Sequence, residues 1–160
     1  MMRALGFEQI KEFAEAEAAL REIEHFGPDI VLTDWHMEPM DGIELVKRIR
    51  NEGAEEVRYV PIVMLTGHSE ADRVCAARNA GANEFLAKPV SANSIHSPIL
   101  RIIENPRPFI KSEDYFGPDR RRHNEGPPDG IAERREARAN PAVDNFSVLS
   151  ENEAAEFLAN

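Results

Sequence analysis

The sequence has little of three things that would each point to a particular class of protein. It contains one cysteine, Cys75, so no internal disulfide can form, and the chain fits a reducing compartment. No stretch approaches the about 18 consecutive apolar residues that cross a membrane, and the N-terminus lacks the apolar core of a signal peptide. Positive charge is scarce too: the net charge is -10, which argues against a surface for nucleic-acid phosphates. We therefore expect a cytoplasmic protein with no membrane or nucleic-acid partner.

Three short apolar segments are each followed by a polar side chain that can take part in chemistry. The segments with their polar ends are Ile30–Leu32 before Asp34, Tyr59–Leu65 before Thr66, and Glu84–Ala87 before Lys88. Apolar runs of this length are typical of strands buried in a parallel sheet. The carboxyl ends of such strands form one edge, where the site lies in open α/β folds. An acid, a hydroxyl and an amine are therefore predicted to meet in one pocket.

Helical patterns alternate with these strands. The predicted helices are 14–26, 41–50, 69–81, and a last one capped by Ser91 or Ser94 that runs to Glu104. Pro98 falls inside the last helix and should kink it or move its start. Phe7–Phe13 is a poor strand candidate because it carries Glu8, Lys11 and Glu12, although an edge strand tolerates charge. Alternation of strand and helix predicts an α/β fold with a doubly wound parallel sheet.

The residues around the three polar ends resemble the receiver domain of two-component response regulators. The resemblance is carried by Asp34 with Met37–Gly42, by Leu65-Thr66-Gly67, and by Phe85–Pro89. It extends over roughly Leu5 to Glu104. One departure is that Glu38 separates Met37 from Pro39, whereas the proline commonly follows the methionine directly. The resemblance implies a flavodoxin-like sheet with strand order 2-1-3-4-5.

The resemblance also implies roles for individual residues. Asp34 would accept a phosphoryl group from a sensor histidine kinase or a histidine phosphotransfer protein, and a downstream protein partner would read the result. Lys88 would be the fixed cation, and the Thr66 hydroxyl would donate to a phosphoryl oxygen. Phe85 would be the switch aromatic that rotates inward when Thr66 moves. The Lys88–Pro89 bond is expected to be cis, and Trp35 is interpreted as lining the rim of the pocket.

The family's first strand, which lies in the centre of the sheet, and most of its first helix have no counterpart before Phe7. That strand ends in the acidic pair that helps the acceptor aspartate to hold Mg²⁺, so here only Asp34 and the backbone carbonyl of His36 would remain. Because Mg²⁺ demands near-octahedral oxygen coordination, we expect metal binding to be weak or lost. The family's second, third and fourth helices, here 14–26, 41–50 and 69–81, would share one face of the sheet. The other face would keep only the last helix and would expose apolar surface. A reading frame started too late and a truncated remnant both explain this, and we favour the late start because the three polar ends are intact.

The segment after Glu104 differs in character from the receiver-like part. We divide the chain into a receiver domain, 1–104, incomplete at its N-terminus, and an extension, 105–160, that is largely disordered. Pro106–Arg122 is the exception, since Phe109, Tyr115 and Phe116 could pack back on the sheet or dock a partner. A short helix at 151–159 is predicted by the capping box that begins at Ser150.

Three functions compete at this point. The leading one is a phosphoacceptor response regulator that signals by binding and is not an enzyme. The second is a non-phosphorylated pseudo-receiver that acts as an interaction module, favoured by the missing acids. The third is a haloacid-dehalogenase-type phosphatase, which also uses an aspartate nucleophile. Those enzymes carry a second acid two residues after the nucleophile, where this chain has His36.

Overall fold

The protein folds around a three-stranded parallel sheet. The structure is a computed structural model that describes residues 2–67, 71–120 and 136–138. The strands are β1 (Val31–Asp34), β2 (Ile62–Thr66) and β3 (Glu84–Ala87), in the order β1-β2-β3. Asp34 pairs with Leu65, and Thr66 pairs with Ala87. The predicted α/β class and the parallel arrangement are confirmed, and this order is the part of the flavodoxin-like sheet that lacks the central strand.

Three helices cover one face of this sheet. They are α1 (Ala16–Phe26), α2 (Gly42–Glu52) and α3 (Ala71–Ala80). Their buried residues form one cluster with the strands, and its larger members are Ile23, Leu45, Val46, Ile49, Ile62 and Met64. Burial of these aliphatic side chains supplies the main driving force for folding. Within the described residues, no helix is long and apolar enough to cross a membrane.

The opposite face carries α4 (Ala92–Glu104) and a short 3-10 helix, Met2–Leu5, which contact each other. The cover is uneven there. Val63 is fully buried, while Leu32 and Leu65, on the same face, stay partly exposed. The expected exposure of apolar sheet surface is therefore real but partial.

The predicted helix starts correspond to specific caps. Asp41 Oδ1 accepts from the amide of Glu44, 2.8 Å away, at the start of α2. Ser91 and Ser94 form a capping box at the start of α4, so both serines predicted as alternatives take part. The idea that Pro98 would delay the helix is wrong: α4 begins at Ala92 and continues through a buried Pro98.

The poor strand candidate at Phe7–Phe13 is not an edge strand, because the segment has no regular structure. A strand needs a neighbour with which to share backbone hydrogen bonds, and none of the described strands pairs with this segment. Its charged residues make surface contacts instead. Lys11 pairs with Glu22 on α1 at 3.0 Å and lies 5.0 Å from the ring centre of Phe26.

A second sheet follows α4. It contains β4 (Phe109–Ser112), β5 (Tyr115–Pro118) and β6 (Glu136–Arg138), antiparallel in the order β5-β4-β6. The first two strands form what we call the C-terminal hairpin, residues 109–118. It lies within Pro106–Arg122, the segment excepted from disorder. Residues 121–135 and 139–160, including the predicted helix at 151–159, lie outside the described residues.

The C-terminal hairpin packs back on the receiver part, against Tyr59 and the end of α2 rather than on the parallel sheet. Phe109 and Phe116 form an aromatic cluster with Tyr59, with ring centres 4.9 to 5.5 Å apart. Phe109 also lies 5.1 Å from the guanidinium carbon of Arg50. The hairpin therefore shares a core with the end of α2.

Arg50 is the most deeply buried charged side chain among the described residues, with 1% of its surface exposed. Its guanidinium donates to four acceptors within 2.8–3.0 Å: the carbonyls of Gly81, Arg58 and Val60, and Asn83 Oδ1. Burial lowers the pKa of Arg50 to about 9. Because this pKa is still above neutral pH, Arg50 is a cation in the folded protein. Its charge-assisted hydrogen bonds tie α2 to the α3–β3 connection.

Candidate functional site

The three polar ends predicted from the sequence lie at one edge of the parallel sheet. Asp34 ends β1, Thr66 ends β2, and Lys88 follows β3 directly. The Lys88 ammonium contacts Asp34 Oδ2. Asp34 Oδ1 accepts from the amide of Trp35 at 3.0 Å, and the amide of Lys88 donates to the carbonyl of Thr66 at 2.7 Å. Backbone pairing and one ion pair therefore fix the three residues relative to each other.

The acid and the amine are open to solvent, whereas the hydroxyl is not. The side chains of Asp34 and Lys88 are 35% and 41% exposed, and Thr66 is 2% exposed. An ion pair this exposed adds little to stability. The carboxylate is therefore accessible from outside the protein, with a cation already beside it.

Glycine at position 42 lets α2 start directly against the acid. A Cβ atom there would lie 2.1 Å from the backbone oxygen of Asp34. This distance is too short for two atoms that are not bonded, so no residue with a side chain fits at this position. The amide of Gly42 also donates to the carbonyl of Trp35 at 2.9 Å. This hydrogen bond joins the two ends of the loop after Asp34, and the helix that follows packs against the end of β1.

Arg73, in the first part of α3, reaches the loop that follows Asp34. Its Nη1 lies 2.9 Å from His36 Nε2, and its guanidinium carbon lies 5.6 Å from the centre of the Trp35 ring. Since an arginine only donates, His36 accepts through Nε2. Reasoning from the sequence missed this second cation. No local signal marks Arg73, because its role depends on how α3 packs beside β1.

Phe85 lies in β3, opposite Met64 in the sheet register. Its side chain is partly buried and packs against the main core, as does that of Trp35. The Lys88–Pro89 bond is cis, as expected, and so is Glu38–Pro39. The Phe85–Pro89 motif therefore runs along β3 and past its end, with Phe85 two residues before the last residue of the strand.

Side chains that could bind magnesium are few among the described residues near Asp34. Among them, no group of three or more His, Cys, Asp or Glu side chains is placed to hold a metal ion. The expected oxygen ligands were the Asp34 carboxylate and the His36 carbonyl, and one carboxylate oxygen is already engaged by Lys88. Mg²⁺ prefers six oxygen ligands in near-octahedral geometry, so water would have to supply most of them at this set.

The sequence of residues 1–100 matches the family model described as the response regulator receiver domain. This chain is a receiver domain. It is 33% identical over 104 residues to chemotaxis protein CheY-3 of Vibrio cholerae, covering 65% of this chain and 78% of that one. It is 31% identical to chemotaxis protein CheY of Pseudomonas aeruginosa over 65% of this chain and 82% of that one. The residues matched by the family model include all three polar ends.

Solved structures of other receiver domains resemble this one. A putative response regulator from Chloroflexus aurantiacus superposes with a TM-score of 0.58 at 32% identity, covering 63% of this chain and 80% of that one. The receiver domain of a sensor histidine kinase from Pseudomonas aeruginosa superposes with a TM-score of 0.55 at 31% identity, covering 62% and 80%. That structure holds a magnesium ion in its active site cleft.

Proposed function

We propose that this receiver domain is a phosphoacceptor response regulator that takes a phosphoryl group on Asp34. The observation that carries the proposal is the contact between the Lys88 ammonium and the Asp34 carboxylate, beside Thr66 on the next strand. The donor is a phosphohistidine of a sensor histidine kinase or a phosphotransfer protein, and the output is binding to a downstream protein. The single cysteine fits a cytoplasmic location for this exchange.

The chemistry is transfer from nitrogen to oxygen. An Asp34 carboxylate oxygen attacks the phosphorus, the phosphorus–nitrogen bond breaks, and its electron pair returns to the imidazole of the donor. A carboxylate is a competent nucleophile for forming an aspartyl phosphate. Catalysis of this step is mainly positioning and neutralisation of charge on the phosphoryl oxygens. Lys88 supplies a fixed positive charge, and the Thr66 hydroxyl donates to a phosphoryl oxygen.

Signalling follows from the same contacts. Once Thr66 turns toward the phosphoryl group, the space that it leaves admits the Phe85 ring. Phe85 packs against the main core and lies on β3, so its rotation changes the surface formed by α3 and β3. A partner that prefers one arrangement of this surface reads the phosphorylation state, without turnover of any substrate.

A second function, a pseudo-receiver that binds partners without phosphorylation, is favoured by one observation. Among the described residues, Asp34 belongs to no group of three or more His, Cys, Asp or Glu side chains that could hold a metal ion. Such a protein would keep the receiver fold as an interaction module, and the Asp34–Lys88 pair would then be a structural contact.

Intact-mass measurement separates the two functions. The purified chain is incubated with acetyl phosphate, with and without Mg²⁺, beside the variants Asp34→Asn and Lys88→Met. We expect the mass of one added phosphoryl group in the parent chain and none in Asp34→Asn. Lys88→Met should slow the gain by about a hundredfold, because one fixed transition-state donor is lost. Lys47→Met, an exposed lysine of α2, is the matched control and should react like the parent.

No added mass under any condition would favour the pseudo-receiver. Addition to Asp34→Asn at the parent rate would place the acceptor elsewhere and contradict the proposal. Sustained hydrolysis of a generic phosphomonoester would instead support the phosphatase alternative.

A further inference from the structure

Helix α3 touches the candidate site at one end and the C-terminal hairpin at the other. Near its start, Arg73 contacts His36 and Trp35. Near its end, Asn79 Oδ1 accepts from Arg120 Nη1 at 3.0 Å. The helix has 10 residues and is therefore about 15 Å long. One rigid element of this length joins the loop after the acceptor aspartate to the C-terminal segment.

The contact between the end of α3 and the C-terminal hairpin is a close approach of two backbones. Gly81 ends α3 with a φ of 104°, which favours glycine, and a Cβ there would meet the carbonyl oxygen of Phe116 at 3.2 Å. A Cβ on Gly117 would meet the Tyr115 hydroxyl oxygen at 2.6 Å and the Cα of Gly81 at 3.0 Å. Any shift of the last turn of α3 must therefore move the hairpin or break this contact.

Stacked guanidinium groups hold the C-terminal hairpin in place around that contact. Arg58 lies 4.2 Å from the ring centre of Phe116, and Arg120 lies 4.3 Å from that of Tyr115. Contacts of this kind are individually modest. They add to the buried aromatic cluster of Tyr59, Phe109 and Phe116, so the hairpin opens only when these rings separate, as a local unfolding event.

We propose that the C-terminal hairpin is an output element of this receiver domain. Phosphorylation of Asp34 releases the hairpin, and α3 transmits the structural change from one to the other. The proposal rests on the proposed function at Asp34. An added phosphoryl group places new negative charge beside the loop that Arg73 contacts, and an arginine prefers that charge to a neutral imidazole. Movement of Arg73 toward it shifts the first turn of α3, and the helix carries the shift to Asn79 and Gly81. The partner is a protein that binds the surface exposed on release.

Hydrogen–deuterium exchange on the full chain tests the phosphorylated state. With acetyl phosphate and Mg²⁺, the amides of 109–118 should exchange about tenfold faster in the phosphorylated protein, the size of a typical coupling between sites. The increase should disappear in Asp34→Asn and fall at least about fivefold in Arg73→Ala. If phosphoryl mass is added and the exchange of 109–118 is unchanged, the proposal is overturned. An undiminished response in Arg73→Ala would overturn the assigned route.

Fluorescence of Trp35 tests the same coupling without phosphorylation. Trp35 is the sole tryptophan of the chain and directly follows Asp34, so its emission reports on the site. Because coupling is reciprocal, Gly117→Ala, which disrupts the hairpin contact, should shift Trp35 emission. Arg120→Ala is a milder second variant should Gly117→Ala not fold, and Arg21→Ala, exposed on α1, is the matched control.

The two arms separate failure of the coupling from failure of the proposed function. If no phosphoryl mass is gained, the proposed function fails, and the Trp35 measurement alone decides the coupling. Trp35 emission that shifts in the hairpin variants but not in Arg21→Ala supports the proposal. Unchanged emission in a variant whose 109–118 amides exchange faster overturns it.

Discussion

Replacing the buried Arg50 by methionine is the most direct test of how α2 is held to the α3–β3 connection. The change leaves two buried carbonyls and one partly buried carbonyl without this donor. At about 1–3 kcal/mol for each lost partner, the loss is roughly 6 kcal/mol. Burial lowers the pKa of Arg50 to about 9, which shows that burying its charge is costly. The methionine variant avoids this desolvation cost, which offsets several kcal/mol of the loss. Asn83 Oδ1 keeps the amide of Ile62 as a donor, at 3.0 Å, and adds little. We expect a net loss of about 3 kcal/mol.

Urea unfolding at neutral pH, followed by far-ultraviolet circular dichroism, measures this loss. For a chain of this length the corresponding fall in Tm is roughly 10 °C. Arg21→Met, which replaces an exposed arginine of α1, is the matched control and should stay within about 0.5 kcal/mol of the parent. If Arg50→Met is as stable as the parent or more so, the cost of burying the cation exceeds the value of its hydrogen bonds, and the reasoning is refuted.

Three further predictions concern single contacts. Gly42→Ala should destabilise the protein by at least about 2 kcal/mol in urea unfolding and displace the site loop, since the new Cβ meets the Asp34 oxygen at 2.1 Å. Ser91→Ala should cost about 1 kcal/mol in the same assay, because the cap of α4 is lost. Burial raises the pKa of Tyr115 above its ordinary value of 10.0, and its hydroxyl donates to the carbonyl of Pro118 at 2.7 Å. The neutral phenol is thus favoured in the folded state, so its contribution is full below about pH 10 and is lost as the pH rises through the folded pKa, as stability measured against pH will show.

A control variant accompanies each of these three predictions. Gly67→Ala should have a far smaller effect than Gly42→Ala, since a Cβ there meets no atom of the described residues within 4 Å. Ser112→Ala, on the exposed end of β4, should be near neutral beside Ser91→Ala. In Tyr115→Phe the alkaline loss of stability should shrink. Equal effects within either pair, or an unchanged alkaline slope, would contradict the corresponding contact.

The sequence predicted those features that depend on local pattern. Short apolar runs identified β1 and β3, and Asp41 and Ser91 identified two helix starts, because capping needs only neighbouring residues. The start of β2 was placed too early, at Tyr59. Residues Val57–Tyr59 form a 3-10 helix, and β2 begins only after Pro61. The meeting of Asp34 with Lys88 followed from the parallel order, which brings strand ends to one edge.

Features that depend on distant contacts were not predicted. Arg50 belongs to a helix that is polar on its outer face, and no local pattern shows that its guanidinium is enclosed by carbonyls from two other segments. The C-terminal hairpin did have a signal: apolar residues at Phe109 and Phe116 flank a polar turn, which is typical of a hairpin. Its place against Tyr59 required the fold, since the contact spans about fifty residues of sequence.

In the described sheet β1 is an outer strand, and the carboxylate proposed to accept the phosphoryl group stands at its end. A strand at the border of a sheet presents backbone donors and acceptors to whatever segment can pair with them. Any segment that pairs there in parallel would finish next to Asp34 and would bring its own side chains to the reacting oxygen. A strand added to the sheet beside β1 would therefore also change the chemical surroundings of the Asp34 carboxylate.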